Sequence, residues 1–256
     1  MDLFNVTGKT VLITGGTSGI GYACAQSFAS AGAHVAISGP TEEECRRAKT
    51  GLETDGLEVA TITCDLRWPA SVSALLGTFH DRFGQLDVLV SNAGMEGPLN
   101  PLDTDKLDAL ETLLSVNLTS AILLSSMTAK TMARSGGGSI ILTASIAGLR
   151  GNRMIGAYGV TKAGLIQQAR NLAVEWGPAN VRANTISPGL IETPFSQRLM
   201  SDTAFMEKRM QMTPLRRAGQ PHEIAAAALF LASPGGAFIT GQNIVVDGGT
   251  AITDGS

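Results

Sequence analysis

The sequence predicts a doubly wound α/β fold, a seven-stranded and mostly parallel sheet with helices on both faces. Three observations predict it. Short β-branched, apolar runs alternate with helix-length stretches along the chain, as consecutive βαβ units require. A glycine-rich turn joins the first run to the first helical stretch, which sets backbone N–H groups and a helix N-terminus against a phosphate. The 256 residues hold no linker, repeat or low-complexity segment, which suits one large domain spanning 1–256 with a substantial core.

The elements follow in order. Val11–Thr14 is the first strand. Gly15-Gly-Thr17-Ser18-Gly19-Ile20-Gly21 is the turn, spaced Gly-x-x-x-Gly-x-Gly, and the helical pattern from Tyr22 to Ala31 stops at Gly32. Further strands are expected at Val35–Ser38, Val59–Thr63, Val88–Ser91, Ser139–Thr143, Arg182–Ile186 and Ile244–Val246. Gly136-Gly-Gly138 reads as the loop entering the fifth strand. Tyr158–Trp176 reads as a long helix. Its apolar residues, Val160, Ala163, Leu165, Ile166, Leu172, Ala173 and Val174, cover more sides than one sheet face needs.

Composition removes several function classes. The net charge of −3, with no Lys/Arg stripe, argues against a nucleic-acid partner. No uninterrupted apolar stretch reaches eighteen residues and no signal-peptide pattern opens the chain, so no membrane association is expected. Cys24, Cys45 and Cys64 are odd in number and widely spaced, as in a cytoplasmic protein with reduced, buried thiols. His34, His80 and His222 show no metal-ligand spacing, and no metal is expected.

The chemistry-bearing residues are Ser145, Tyr158 and Lys162. Tyr158 and Lys162 are four apart and share one helix face. An ammonium beside a phenol favours the phenolate, so the pKa of Tyr158 is expected to fall toward neutrality. Such a Tyr exchanges a proton with a substrate oxygen. Ser145 follows an apolar run at the end of a strand, where an α/β sheet presents its chemistry.

Together these motifs resemble the short-chain dehydrogenase/reductase family, the single-domain type with a Rossmann fold, over nearly everything from Gly8 to Gly249. Thr14-Gly-Gly-Thr-Ser-Gly-Ile-Gly21 matches its cofactor turn, and Cys64-Asp65-Leu66 the place where an Asp holds the adenine. Asn92-Ala93-Gly94 closes the fourth strand, with Ser91 where many members carry a second Asn. Asn117 in Ser115-Val-Asn-Leu matches the catalytic Asn, and Ser145, Tyr158 and Lys162 match the catalytic group. Pro188-Gly189 through Ile191-Glu-Thr193 matches the nicotinamide-side loop.

The resemblance implies an NAD- or NADP-dependent enzyme that interconverts a secondary alcohol and a ketone by hydride transfer, with Tyr158 as general acid/base. A 3-oxoacyl-carrier reductase is an alternative, lowered by Val174 where that branch presents a basic residue. A non-catalytic dinucleotide-binding protein is another, opposed by the intact Asn117, Ser145, Tyr158 and Lys162. Asn117 either holds a water that links Lys162 to solvent or satisfies backbone groups inside a helix. Ser38, Gly39 and Pro40 stand where cofactors are told apart. Gly39 is not acidic, and neither Pro40 nor Ser18 is basic, so NAD and NADP both stay open.

The same resemblance places the substrate among Met95, Glu96, Ile146, Leu149, Arg153, Met154, Leu190 and Phe195, under a lid at about 190–214. Glu96 would meet a substrate hydroxyl or amine. Arg150 and Arg153 either bind a substrate carboxylate or are solvated. Met200, Met206 and Met210 either line a bulky apolar pocket or simply cover the domain. A homotetramer is implied, paired through the Tyr158–Trp176 helix and the C-terminal strand.

Overall fold

The computed structural model describes residues 2–97, 107–153 and 155–253. Seven strands form one sheet: β1 (Thr10–Thr14), β2 (His34–Gly39), β3 (Val59–Thr63), β4 (Val88–Ser91), β5 (Gly138–Thr143), β6 (Val181–Pro188) and β7 (Asn243–Val246). Their order is β3-β2-β1-β4-β5-β6-β7, and every pairing is parallel, β7 included, where a mostly parallel sheet was expected. The chain winds outward from β1 in one direction and then, from β4, in the other. Crevices at such a reversal open at the carboxyl ends of the strands.

The helices cover both faces because each strand is apolar on both. In β1, Leu12 points to one core and Val11 and Ile13 to the other. The Leu12 side is closed by α3 (Pro69–Phe83), α5 (Ser120–Arg134) and α6 (Gly156–Trp176) through Phe79, Leu124 and Leu165. The Ile13 side is closed by α1 (Gly19–Ser30), α2 (Glu42–Thr54) and α9 (Pro221–Ala232) through Phe28, Leu52 and Leu231. Side chains of this size, fully buried, each contribute roughly 1.5–3 kcal/mol. The apolar runs of β1, β4 and β5 follow from this two-sided burial.

Between β4 and α5 lie α4 (Leu107–Leu114) and a π-helical turn, Ser115–Thr119, that contains Asn117. The whole helical run Leu107–Arg134 is long and apolar enough to cross a membrane by length and composition. It packs on α3, α6 and β5. Beyond β6 come a single 3-10 turn, Pro194–Ser196, then α7 (Gln197–Met200) and α8 (Thr203–Gln211).

Candidate active site

A cleft of about 1000 Å³ runs along the carboxyl ends of the strands. Gly15 after β1, Gly39 in β2, Cys64 after β3, Asn92 after β4, Ser145 after β5 and Pro188 in β6 all border it. Every residue expected to hold the cofactor lines it except Gly21. That glycine stands behind the turn: a Cβ there would come 2.1 Å from the Gly15 carbonyl oxygen and 2.6 Å from Asn92 Nδ2. Asn92 Nδ2 in turn donates to the carbonyls of Thr14 and Gly15, each at 3.2 Å. Gly21 thus lets α1 close on the turn, and Asn92 holds the turn's shape.

The residues fit a bound dinucleotide. Gly19 has φ +54 and starts α1, whose N-cap Ser18 makes no side-chain cap and whose first turn holds no acid. The helix therefore presents uncapped N–H groups and the positive end of its dipole to the cleft, where Ser18, Gly19 and Ile20 lie. The turn lies close to its neighbour across the winding reversal, since a Cβ on Gly15 would meet Ala93 Cα at 2.8 Å.

Ser145, Tyr158 and Lys162 converge on the cleft, and Lys162 is only 3 % exposed. Its Nζ donates to the Thr143 carbonyl at 2.9 Å and lies 5.6 Å from the centre of the Tyr158 ring. Ser145 Oγ accepts from Ala147 N–H at 3.1 Å, which holds it at the mouth of the loop. Tyr158 packs against Phe195, ring centres 6.2 Å apart.

The ionisation of Tyr158 differs from the expectation. Burial pushes the phenol up to about 12, with Ser145 pulling it down and the Glu96 carboxylate pushing it further up. Burial also pulls Lys162 down to about 8. Desolvation sets the direction, and the ammonium is directed at the Thr143 carbonyl. At neutral pH the side chain of Tyr158 therefore keeps its proton and is a donor.

Asn117 borders none of the cleft. Its Oδ1 accepts from Met95 N–H and its Nδ2 donates to Met95 O, both at 2.8 Å. The backbone groups it satisfies belong to the segment after β4 rather than to its own helix. It clamps the segment after β4, and a Cβ on Gly94 would lie 3.3 Å from Lys162 Nζ and 3.5 Å from Asn117 Oδ1.

At the substrate side, Met95, Glu96, Ile146, Arg153, Leu190 and Phe195 line the cleft as expected. Leu149 is not in it and is 43 % exposed, because the 3-10 turn Ile146–Gly148 carries it outward. Met154 lies outside the described residues. Arg150 turns away and donates to the Thr250 carbonyl at 3.3 Å. Of the two readings of Met200, Met206 and Met210, lining the cleft does not hold; Arg198, Leu199, Phe205 and Arg209 line it instead. At the other end, Thr41 and Glu44 border the cleft, as does Arg67, which sequence reasoning missed. Thr41 caps α2 through the Glu44 N–H at 3.2 Å, and this places Glu44 in the first turn, facing Thr17.

Comparison with known proteins agrees with this geometry. A family model described as enoyl-(acyl carrier protein) reductase matches residues 15–251. The chain belongs to the short-chain dehydrogenase/reductase family. A tropinone reductase homolog of Arabidopsis thaliana is 36 % identical over 97 % of this chain and 81 % of its own. A 7α-hydroxysteroid dehydrogenase, solved with NADH and 7-oxo glycochenodeoxycholic acid, superposes with a TM-score of 0.91 and 34 % identity, covering 97 % of this chain and 96 % of its own. A gluconate 5-dehydrogenase of Burkholderia cenocepacia J2315, solved with NADP and tartrate, gives 0.93 and 32 %, covering 98 % of each chain. The protein is therefore an oxidoreductase by family, with a Rossmann-type fold.

Proposed function

We propose that the protein interconverts a secondary alcohol and a ketone, with NAD or NADP held along the cleft and Tyr158 moving the proton. One observation carries the reading: Ser145, Tyr158 and Lys162 meet in the same cleft as an uncapped, glycine-opened helix N-terminus. The Gly15–Ile20 turn would hold the pyrophosphate, Asp65 and Leu66 the adenine, and Asn92–Gly94 with Pro188–Thr193 the nicotinamide. When bound, the dinucleotide supplies or accepts the hydride.

The chain's own residues do the rest. Ser145 Oγ donates to the substrate oxygen and orients it. Tyr158, protonated at neutral pH, gives its proton to the oxygen in reduction and recovers it in oxidation. Lys162, with its Nζ anchored on Thr143, holds the cofactor ribose and supplies positive charge behind the phenol. Segment 190–214 closes over the cleft as a lid, with Phe195 tilted against Tyr158 and keeping water from the reacting oxygen.

Charges at the β2–β3 end of the cleft favour NAD over NADP. Glu44 accepts from Thr17 Oγ1 at 3.4 Å through one oxygen, offers the other to a ribose hydroxyl and repels a phosphate there. At that end of the cleft Arg67 is the cation among the lining residues, and Asp65 holds it through contacts of 2.6–3.0 Å. Arg46 and Arg47 pair with Glu43 outside the cleft. Three free, buried cysteines are consistent with a cytoplasmic location.

The test is absorbance at 340 nm with NADH and NADPH, each run against aliphatic, aryl, cyclic and acyl-thioester ketones. Reduction of a ketone, faster with NADH, is the expected result. Cofactor binding without turnover of any ketone would count against the reading.

A further inference from the structure

Arg209 is the group in the cleft that the chemistry above leaves unused. It lies on α8 four residues after Phe205, so the two share a helix face, and both line the cleft. Its guanidinium makes no hydrogen bond or ion pair among the described residues, and its Nε is buried with no partner. A protein rarely buries such a donor without using it, because desolvating a cation is costly unless an anion replaces the lost water.

The neighbours do not supply that anion. Arg150 repels Arg209, while Asp247 attracts it. Asp247 already accepts from the N–H groups of Gly249 and Ala251 at 2.8 and 2.6 Å. Glu96 accepts from Arg198 at 3.0 Å. Arg153 also lines the cleft, exposed and without a hydrogen bond or ion pair among the described residues. Three arginines thus face one carboxylate at the substrate side, and Arg209 is the most enclosed of the unpaired ones. The dinucleotide phosphates do not account for it. They belong at the α1 N-terminus, whereas Arg209 is near Arg150 and Asp247, beyond β5 and β7.

We propose that the substrate is an acid, a ketone or secondary alcohol bearing a carboxylate, and that Arg209 binds that carboxylate. The planar guanidinium suits a bidentate grip on a carboxylate. Arg153 adds attraction from the cleft's open side, and Phe205 and Leu199 pack the substrate's carbon chain. This rests on the alcohol–ketone reading, and it narrows that reading to hydroxy acids and keto acids.

The experiment compares 3-oxobutanoate, 4-oxopentanoate and 5-oxohexanoate with their methyl esters, in wild type, Arg209→Gln and Arg209→Lys. A charge-assisted hydrogen bond is worth about tenfold or more in affinity. The wild type should therefore prefer one acid over its ester by about tenfold in kcat/KM, chiefly through KM. Arg209→Gln should bring that ratio to near unity, and Arg209→Lys should keep part of it. Esters turned over as well as acids, or a preference that survives Arg209→Gln, would overturn the assignment. Calorimetric titration of the same acids separates this inference from the reading beneath it. Acid binding that Arg209→Gln abolishes, with no ketone reduced, upholds the anion site and sinks the alcohol–ketone reading alone. Acid binding indifferent to Arg209, or none, overturns the site.

Discussion

Lys162 sits in the cleft at a cost to stability. It is almost fully buried, and burial lowers its pKa from the ordinary lysine value to about 8. The unfolded chain then binds the proton more tightly than the folded one. The cost to stability is complete below about pH 8 and fades as the pH rises toward the ordinary lysine value. Lys162→Met should therefore stabilise the cofactor-free protein at pH 7, by on the order of 3 kcal/mol. Urea unfolding of both proteins from pH 7 to 10 should show the gap closing as pH rises. A gap that is constant or widens would mean that the lysine is not buried as a strained cation. At this scale the spacing of Tyr158 and Lys162 was legible, since four residues is one helix turn. The direction of the Tyr158 shift was not. It depends on where the ammonium points and how much water reaches the phenol, and neither is written in a spacing.

At the scale of elements, the glycine turn depends on Gly21 although that residue never meets the cleft. A methyl group there would fall 2.1 Å from the Gly15 carbonyl oxygen, and both neighbours are backbone or its clamp. Gly21→Ala should force α1 off the turn, costing about 1–3 kcal/mol of stability and weakening NADH binding. Thermal unfolding and NADH fluorescence titration would read the two effects. Normal values for both would show that the turn is not packed as described. The central strands β1, β4 and β5 were legible because two-sided burial writes an apolar run for each, and the outer strands β3 and β7 because they keep β-branched residues. The π-helical turn at Asn117 was not, since it follows from the clamp on Met95, which is a tertiary contact. Nor was the cleft-facing side of α8. The methionines caught attention by their chemistry, but Phe205 and Arg209 hold the face that the fold turns inward.

The whole molecule places large apolar side chains on its outside. On α6, Val160 is 60 % and Val174 83 % exposed, and on β7 and the following turn Val245 is 41 % and Ile252 89 % exposed. Apolar surface in two separate places is consistent with two kinds of subunit contact, as in a tetramer of 222 symmetry. Light scattering should give a tetramer, and Val174→Asp should lower the mass. A monomeric wild type would remove the proposal. The sheet order, the cleft at the strand ends and the family membership form one consistent account of an oxidoreductase. Its central claim is that Tyr158 moves the proton. Steady-state reduction by Tyr158→Phe, measured beside NADH affinity, tests that most directly. The account predicts turnover reduced by about 10²–10⁴-fold with cofactor binding nearly unchanged. Near-normal turnover by Tyr158→Phe would contradict it.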